Sequence, residues 1–359
     1  MTLSAGDWVE VRGKEEILTT LDGDGRLEGM PFMPQMFKWC GQRFQVSRRA
    51  HKTCDTVTGR GLGLRLPNVV HLELRCDGEA YGGCQAECLI FWKEAWLKPV
   101  ALSLAPSAGP DPKPIIKSRS CTEAAVWDAT RSVEQSPGRD TRYACQATEL
   151  PRCTQPLKWW DARQYVEDIA SGNVSLPRLL RGFLYFSFAG VTLARRHRLG
   201  RPARWTYDRI QSLWGGVPFP RRPGVLKSGK DAPTCELRLQ PGDLVRIRPL
   251  EQILATIDKR NQHRGMGFDA EMVPYCGKVF RVRTRVERFV DERSGYLRRM
   301  KTPAVILDGV YCKSRYSERR LFCPRSIFSW WREIWLERVP DEAKTETRRT
   351  DPLEKAVST

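Results

Sequence analysis

The sequence predicts a mixed α+β protein, mainly β, in which two small β modules flank a helical middle region. Three observations carry this. One stretch occurs twice, from Gly6 to Leu97 and from Gly242 to Leu336, with Gly-Asp-x-Val, Ile-Leu-x-Thr, Gly-Met-x-Phe, Cys-Gly-x-x-Phe-x-Val and Trp-[Lys/Arg]-Glu-x-Trp-Leu in the same order. Within each copy, short segments alternate polar and apolar residues at the period of a half-buried strand and are separated by Gly-rich turns. Between residues 121 and 200, apolar residues recur at helical spacing instead.

The first repeat occupies residues 1–100. Asp7 to Arg12 alternates as a strand, and Lys14 to Asp22 gathers Ile17, Leu18 and Leu21 on one helical face. Asp22-Gly23-Asp24-Gly25 is a turn. Arg43 to Ser47, with Phe44 and Val46 inward, and Val70 to Leu74 are further strands. Short strands, one small helix and tight turns fit a strongly bent barrel. Residues 101–120, with Pro106, Pro110, Pro112 and Pro114, predict a linker. In the middle region, 121–200, helices are expected over Tyr143 to Leu150, over Trp159 to Ser171 with a stop at Gly172-Asn173, and from Pro177 to His197 after a Ser175 cap. A second, basic linker covers 201–240, the second repeat 241–340, and a charged segment, 341–359, is expected to be disordered.

Gly6-Asp7-Trp8-Val9-Glu10-Val11-Arg12 and its counterpart Gly242 to Arg248 resemble the opening strand of SH3-like barrels, including those of ribosomal and transcription-elongation proteins. The resemblance implies two SH3-like repeats and no particular activity. The whole arrangement is similar to a group of uncharacterised bacterial proteins, which adds no activity either.

The net charge of +18 is unevenly spread. Residues 1–100 hold 13 Lys and Arg against 13 Asp and Glu, residues 101–240 hold 22 against 12, and residues 241–359 hold 25 against 17. A neutral and a basic copy of one module imply different partners, and the basic one points to a polyanion, RNA or DNA. Alternation over Phe280 to Val286 projects Arg281, Arg283 and Arg285 from one strand face, and Arg288, Arg298, Arg299 and Lys301 extend the basic set. The competing reading is a solvated face balanced by Glu287 and Glu292.

Of the chain's 12 cysteines, three in each repeat match: Cys40 with Cys276, Cys76 with Cys312, and Cys84 with Cys323. Cys54 and Cys88 are extra in the first repeat, so Cys54, Cys76, Cys84 and Cys88 (or Cys40) form a candidate zinc set, anchored on the Cys84-x-x-x-Cys88 spacing. Buried free thiols are the alternative. A catalytic thiol is not indicated: none of His51, His71, His197 and His263 recurs in the other repeat or forms a recognisable Cys-His pair. No phosphate-binding loop, Gly-x-Ser-x-Gly elbow or His-Glu-x-x-His is present. The paired tryptophans that end each repeat are expected to close a core.

These features predict a non-enzymatic binding or scaffold protein. Two alternatives stand beside it. One is a biosynthetic enzyme or accessory factor with its site between the repeats. The other is a membrane-associated scaffold using helix 177–197 as an interfacial anchor. With no basic-then-apolar leader and no apolar run of about 20 residues, a cytoplasmic location without a transmembrane span is expected.

Overall fold

The computed structural model describes residues 2–58, 62–100, 121–132, 141–193, 200–213, 216–226, 232–317 and 320–339. The expected linker at 101–120 and tail at 341–359 lie outside them. The chain is mixed α and β, with two compact units. The first holds the residues up to Ile210 together with Arg288–Arg299 and Cys312–Phe328. The second holds Gln211–Glu287, Met300–Tyr311 and the residues from Ser329 on. The expected helical middle therefore falls within the first unit.

The repeated motifs explain themselves once the two units are compared. Gly6 and Gly242 both take φ of +96°, a backbone conformation that glycine adopts without strain. The next residue, Asp7 or Asp243, accepts a backbone N–H three residues upstream, from Ser4 or Gln240 at 2.8 Å in each case. The strand that follows, Trp8–Val11 or Leu244–Ile247, buries its central valine completely. It lies antiparallel between two partners in both units: Leu97–Pro99 and Arg43–Gln45 in the first, Leu336–Arg338 and Val279–Val290 in the second.

Ile-Leu-x-Thr forms the short helices Lys14–Thr20 and Leu250–Leu254 with their following turn. Their isoleucines are buried, and their threonines accept the indole N–H of the last tryptophan, Trp96 to Thr20 at 3.2 Å and Trp335 to Thr256 at 2.9 Å. The phenylalanine of Gly-Met-x-Phe meets that tryptophan edge-on, with ring centres 5.1 Å apart for Phe32–Trp96 and 5.4 Å for Phe268–Trp335. Trp92, Trp96, Trp331 and Trp335 are all fully buried. The paired tryptophans are core, packed with the phenylalanine among the buried residues of each unit, where large rings fill the most volume.

The units differ beyond this frame. The second repeat forms a five-stranded sheet whose central members are long, Val279–Val290 and Leu297–Tyr311, whereas the first repeat breaks the corresponding chain into short strands. Among the described residues no sheet closes on itself.

In the middle region, Arg163–Ala170 ends at Gly172, whose φ is +73°, as its sequence predicts. Leu176–Leu193 is a helix that packs Phe183 and Phe186 toward Tyr165, Leu179 and Phe322, leaving Leu176, Leu180 and Leu184 exposed. Two expectations need correction. Tyr143 to Leu150 is not a helix: Arg142–Tyr143 is a strand, and the Thr148 hydroxyl takes the Cys145 N–H at 2.9 Å, holding a turn instead. Gly200–Leu213, read as linker, is a helix. Among the described residues no helix is long and apolar enough to cross a membrane.

Candidate functional site

The second unit contains a polar cavity of about 260 Å³ lined by Cys235, His263, Arg264, Arg285, Lys301, Arg332 and Glu333 among others. Its arginines have different standing. Arg285 donates to Glu333 at 2.6 Å and to Glu287 at 3.0 Å. Glu333 also accepts the backbone N–H groups of Leu237, Arg238 and Leu239 at 2.6, 3.2 and 3.1 Å. Burial works to raise Glu333, but these hydrogen bonds outweigh it and hold the carboxyl below its ordinary range. The first repeat has the same pair, Arg49 on Glu94 at 2.5 Å, so Arg285 and Glu333 belong to the frame.

Arg332 is different. It is 4% exposed, and among the described residues no carboxylate pairs with it. Among the described residues its guanidinium donates only to carbonyls, those of Thr302, Pro303 and Arg264, and its Nε has no acceptor. Burial and the adjacent Arg264 both disfavour its charge. The matching residue of the first repeat, Lys93, is equally buried but donates to Glu28 at 2.6 Å and to the Pro67 carbonyl at 3.3 Å. Glu28 stands immediately before Gly29-Met30; the residue immediately before Gly265-Met266 is Arg264. Both have left-handed φ, 51° and 49°, so the backbone places them alike. The second repeat has thus kept the buried cation and exchanged its counter-ion for a second cation. Lys301, exposed and without an ion pair among the described residues, adds a third positive charge to the cavity wall.

Of the predicted basic set, Arg285 and Lys301 reach this cavity. Arg281 donates to the Gly242 carbonyl at 2.8 Å, and Arg283 pairs with Asp308 at 3.3 Å. Arg288, Arg298 and Arg299 belong to the first unit. Arg264 and Arg332 were missed because the reading followed runs of charge. Comparing the residue before Gly-Met in the two repeats would have found the exchange.

The predicted thiols divide. Cys76, Cys84 and Cys88 line one small cavity of the first unit, about 40 Å³, and the fourth thiol there is Cys145 from the middle region, not Cys54. Burial pushes all four up, Cys145 to about 11. Cys54 lies elsewhere. The Cys323 thiol donates to it and, with Arg325 and Arg320 nearby, outweighs burial and holds it down at about 6. Cys40 sits at the end of the 3-10 helix Pro34–Trp39, near Lys14. Among the described residues no group of three or more His, Cys, Asp or Glu side chains is arranged to hold a metal ion. His71 is fully buried, its Nδ1 2.8 Å from the Ile90 carbonyl, and burial pushes it down to about 3. A neutral, carbonyl-bound ring packed on Phe91 is a structural histidine.

No protein-family model and no curated protein matches the chain, so its chemistry rests on its own residues.

Proposed function

We propose that the protein is a non-enzymatic binding protein whose second repeat takes a phosphate group of RNA or DNA into the cavity walled by Arg264, Lys301 and Arg332. One observation carries this: the buried cation that Glu28 neutralises in the first repeat faces Arg264 in the second. A buried charge without a counter-ion costs several kcal/mol, which an anionic ligand offsets on binding. Phosphate oxygens match the fork of a guanidinium, and the excess of 25 Lys and Arg over 17 Asp and Glu in residues 241–359 favours a polymer of such groups over a single small anion. The SH3-like reading of both repeats is part of the same proposal, supported by the Gly-Asp-x-Val strand that pairs with the last strand of its own repeat.

The test is binding of labelled single-stranded RNA and DNA over a salt series. Affinity should fall steeply with salt, and Lys301→Ala should reduce the slope of log K against log salt by about one. No binding of either polymer at low salt would overturn the proposal.

A further inference from the structure

The helices of the first unit expose apolar surface that the phosphate site leaves unexplained. Nine of the 13 large apolar side chains that stand exposed among the described residues fall between Trp159 and Ile210. The sharpest group is on helix Leu176–Leu193, where Leu176, Leu180 and Leu184 are 55%, 56% and 73% exposed. Their four-residue spacing, at about 100° per residue, sets them within an arc of about 80°. Phe183 and Phe186 border this arc on one side, against Tyr165 and Trp159 at ring separations of 4.8 and 5.2 Å. Phe188 borders it on the other, stacked on Tyr207 at 5.2 Å. The helix is thus held by aromatic contacts on both flanks and turns its leucines outward between them. An exposed leucine stripe on so well packed a helix marks an interaction surface.

The charge around the stripe selects what covers it. Residues 159–210 hold 9 Lys and Arg against 4 Asp and Glu. Three of the four carboxylates are already paired: Asp161 with Arg163, Glu167 with Arg49 and Arg65, and Asp168 with Lys52. Arg181, on the same helix, is exposed at the edge of the arc. The Lys158 ammonium lies 5.5 Å over the ring of Trp160, itself exposed. A second copy of the chain would bring the same positive excess and be repelled. A nucleic acid would meet the arginines but leave the leucines in water. A bilayer with anionic headgroups satisfies both: leucine enters the acyl boundary, tryptophan stays at headgroup depth, and arginine reaches lipid phosphate from beside them.

We propose that helix Leu176–Leu193 docks in the plane of an anionic membrane surface, with Leu176, Leu180 and Leu184 in the acyl boundary and Arg181 and Trp160 at the headgroups. The stripe extends about 12 Å along the helix axis, which suits shallow insertion from one side. No helix among the described residues is long and apolar enough to cross the bilayer, so the helix lies on it. Binding of this kind is reversible and needs both halves, the leucines for burial and the basic side chains for attraction.

Flotation of the full-length protein with phosphatidylcholine vesicles, and with vesicles of equal parts phosphatidylcholine and phosphatidylglycerol, tests this. Binding to the anionic vesicles should exceed binding to the neutral ones by about tenfold or more. Leu180→Gln with Leu184→Gln should weaken anionic binding by about tenfold or more. Both leucines are exposed, so the double variant should keep the unfolding midpoint and the RNA affinity of the wild type. In the wild type, lipids brominated near the headgroup should quench tryptophan emission. No flotation with anionic vesicles, no quenching, or equal binding to neutral vesicles would each overturn the proposal. Full binding by the double variant would also overturn it, by reducing the contact to charge alone. Loss of RNA affinity in the double variant would assign the face to nucleic acid, and a wild-type dimer that the double variant abolishes would assign it to a second copy; either overturns the membrane assignment. Failure of the phosphate site in the second repeat would show in RNA binding and leave flotation unchanged.

Discussion

Arg264→Glu converts the cation site of the second repeat into that of the first, and its two effects have opposite signs. In the first repeat, Lys93 is 2% exposed while its partner Glu28 is 59% exposed, at 2.6 Å. Solvent screens a pair of this kind, so the new attraction is worth about 0.5–1 kcal/mol. Removing the like charge of Arg264 beside Arg332 adds a similar amount, giving about 1–2 kcal/mol of added stability and a rise of roughly 3–8 °C in the unfolding midpoint. Phosphate binding should move the other way. One guanidinium contact is lost and a carboxylate is placed where the anion would sit. A cost of about 2–3 kcal/mol corresponds to affinity falling by roughly 30- to 150-fold. Thermal unfolding and fluorescence anisotropy with labelled single-stranded RNA, run on one preparation at fixed low salt, measure both. Unchanged RNA affinity would refute the phosphate site. Lost affinity with lowered stability would mean that Arg264 supports the fold instead, which would remove the argument from the charge exchange.

Other predictions concern the frame. Lys52 and Asp168 form a buried pair at 2.5 Å, with burial pushing Asp168 up to about 6 and Lys52 down; Lys52→Met alone should cost about 3–5 kcal/mol in denaturant unfolding, and Lys52→Met with Asp168→Leu less than either single change. His71 is held neutral down to about 3, against about 6.5 unfolded, so its contribution is present above pH 6.5 and lost as pH falls toward 3. Between pH 7 and pH 5 the loss from His71 should be about 2 kcal/mol, and His71→Gln should reduce the pH effect by that amount, leaving that of His51, which burial holds down at about 4; an equal pH effect in the variant would refute it. Gly78→Ala should destabilise the first unit by about 3 kcal/mol or more, since both its left-handed φ and the Cys84 backbone oppose a side chain.

The repeated motifs were legible because each does a local job that one residue type performs: a left-handed glycine, a threonine accepting an indole N–H, a phenylalanine against a tryptophan edge. The α and β content followed from periodicity for the same reason. The open sheets and the division of the chain into units did not, because they depend on strand pairing between distant segments, which carries little local signal. Arg281, Arg283 and Arg285 were correctly placed on one face of a strand. What the alternation could not show is that Arg283 and Arg285 already have Asp308, Glu287 and Glu333 as partners. Cys145 was invisible as a neighbour of Cys76, Cys84 and Cys88 around one cavity because it lies outside the repeat that the cysteine comparison was confined to.

The cation sites of the two copies share a logic that follows from duplication. Residues present in both copies are held by the demands of one frame: Glu94 and Glu333 each take an arginine, and Lys93 and Arg332 each lie buried and donate to the carbonyl of an equivalent proline, Pro67 or Pro303. A change at such a position costs stability unless something replaces the lost partner. Glu28 in one copy and Arg264 in the other is therefore a stronger pointer to a ligand than any run of exposed arginines. A surface arginine is tolerated anywhere, whereas a buried cation facing a second cation is tolerated only where an anion repays it.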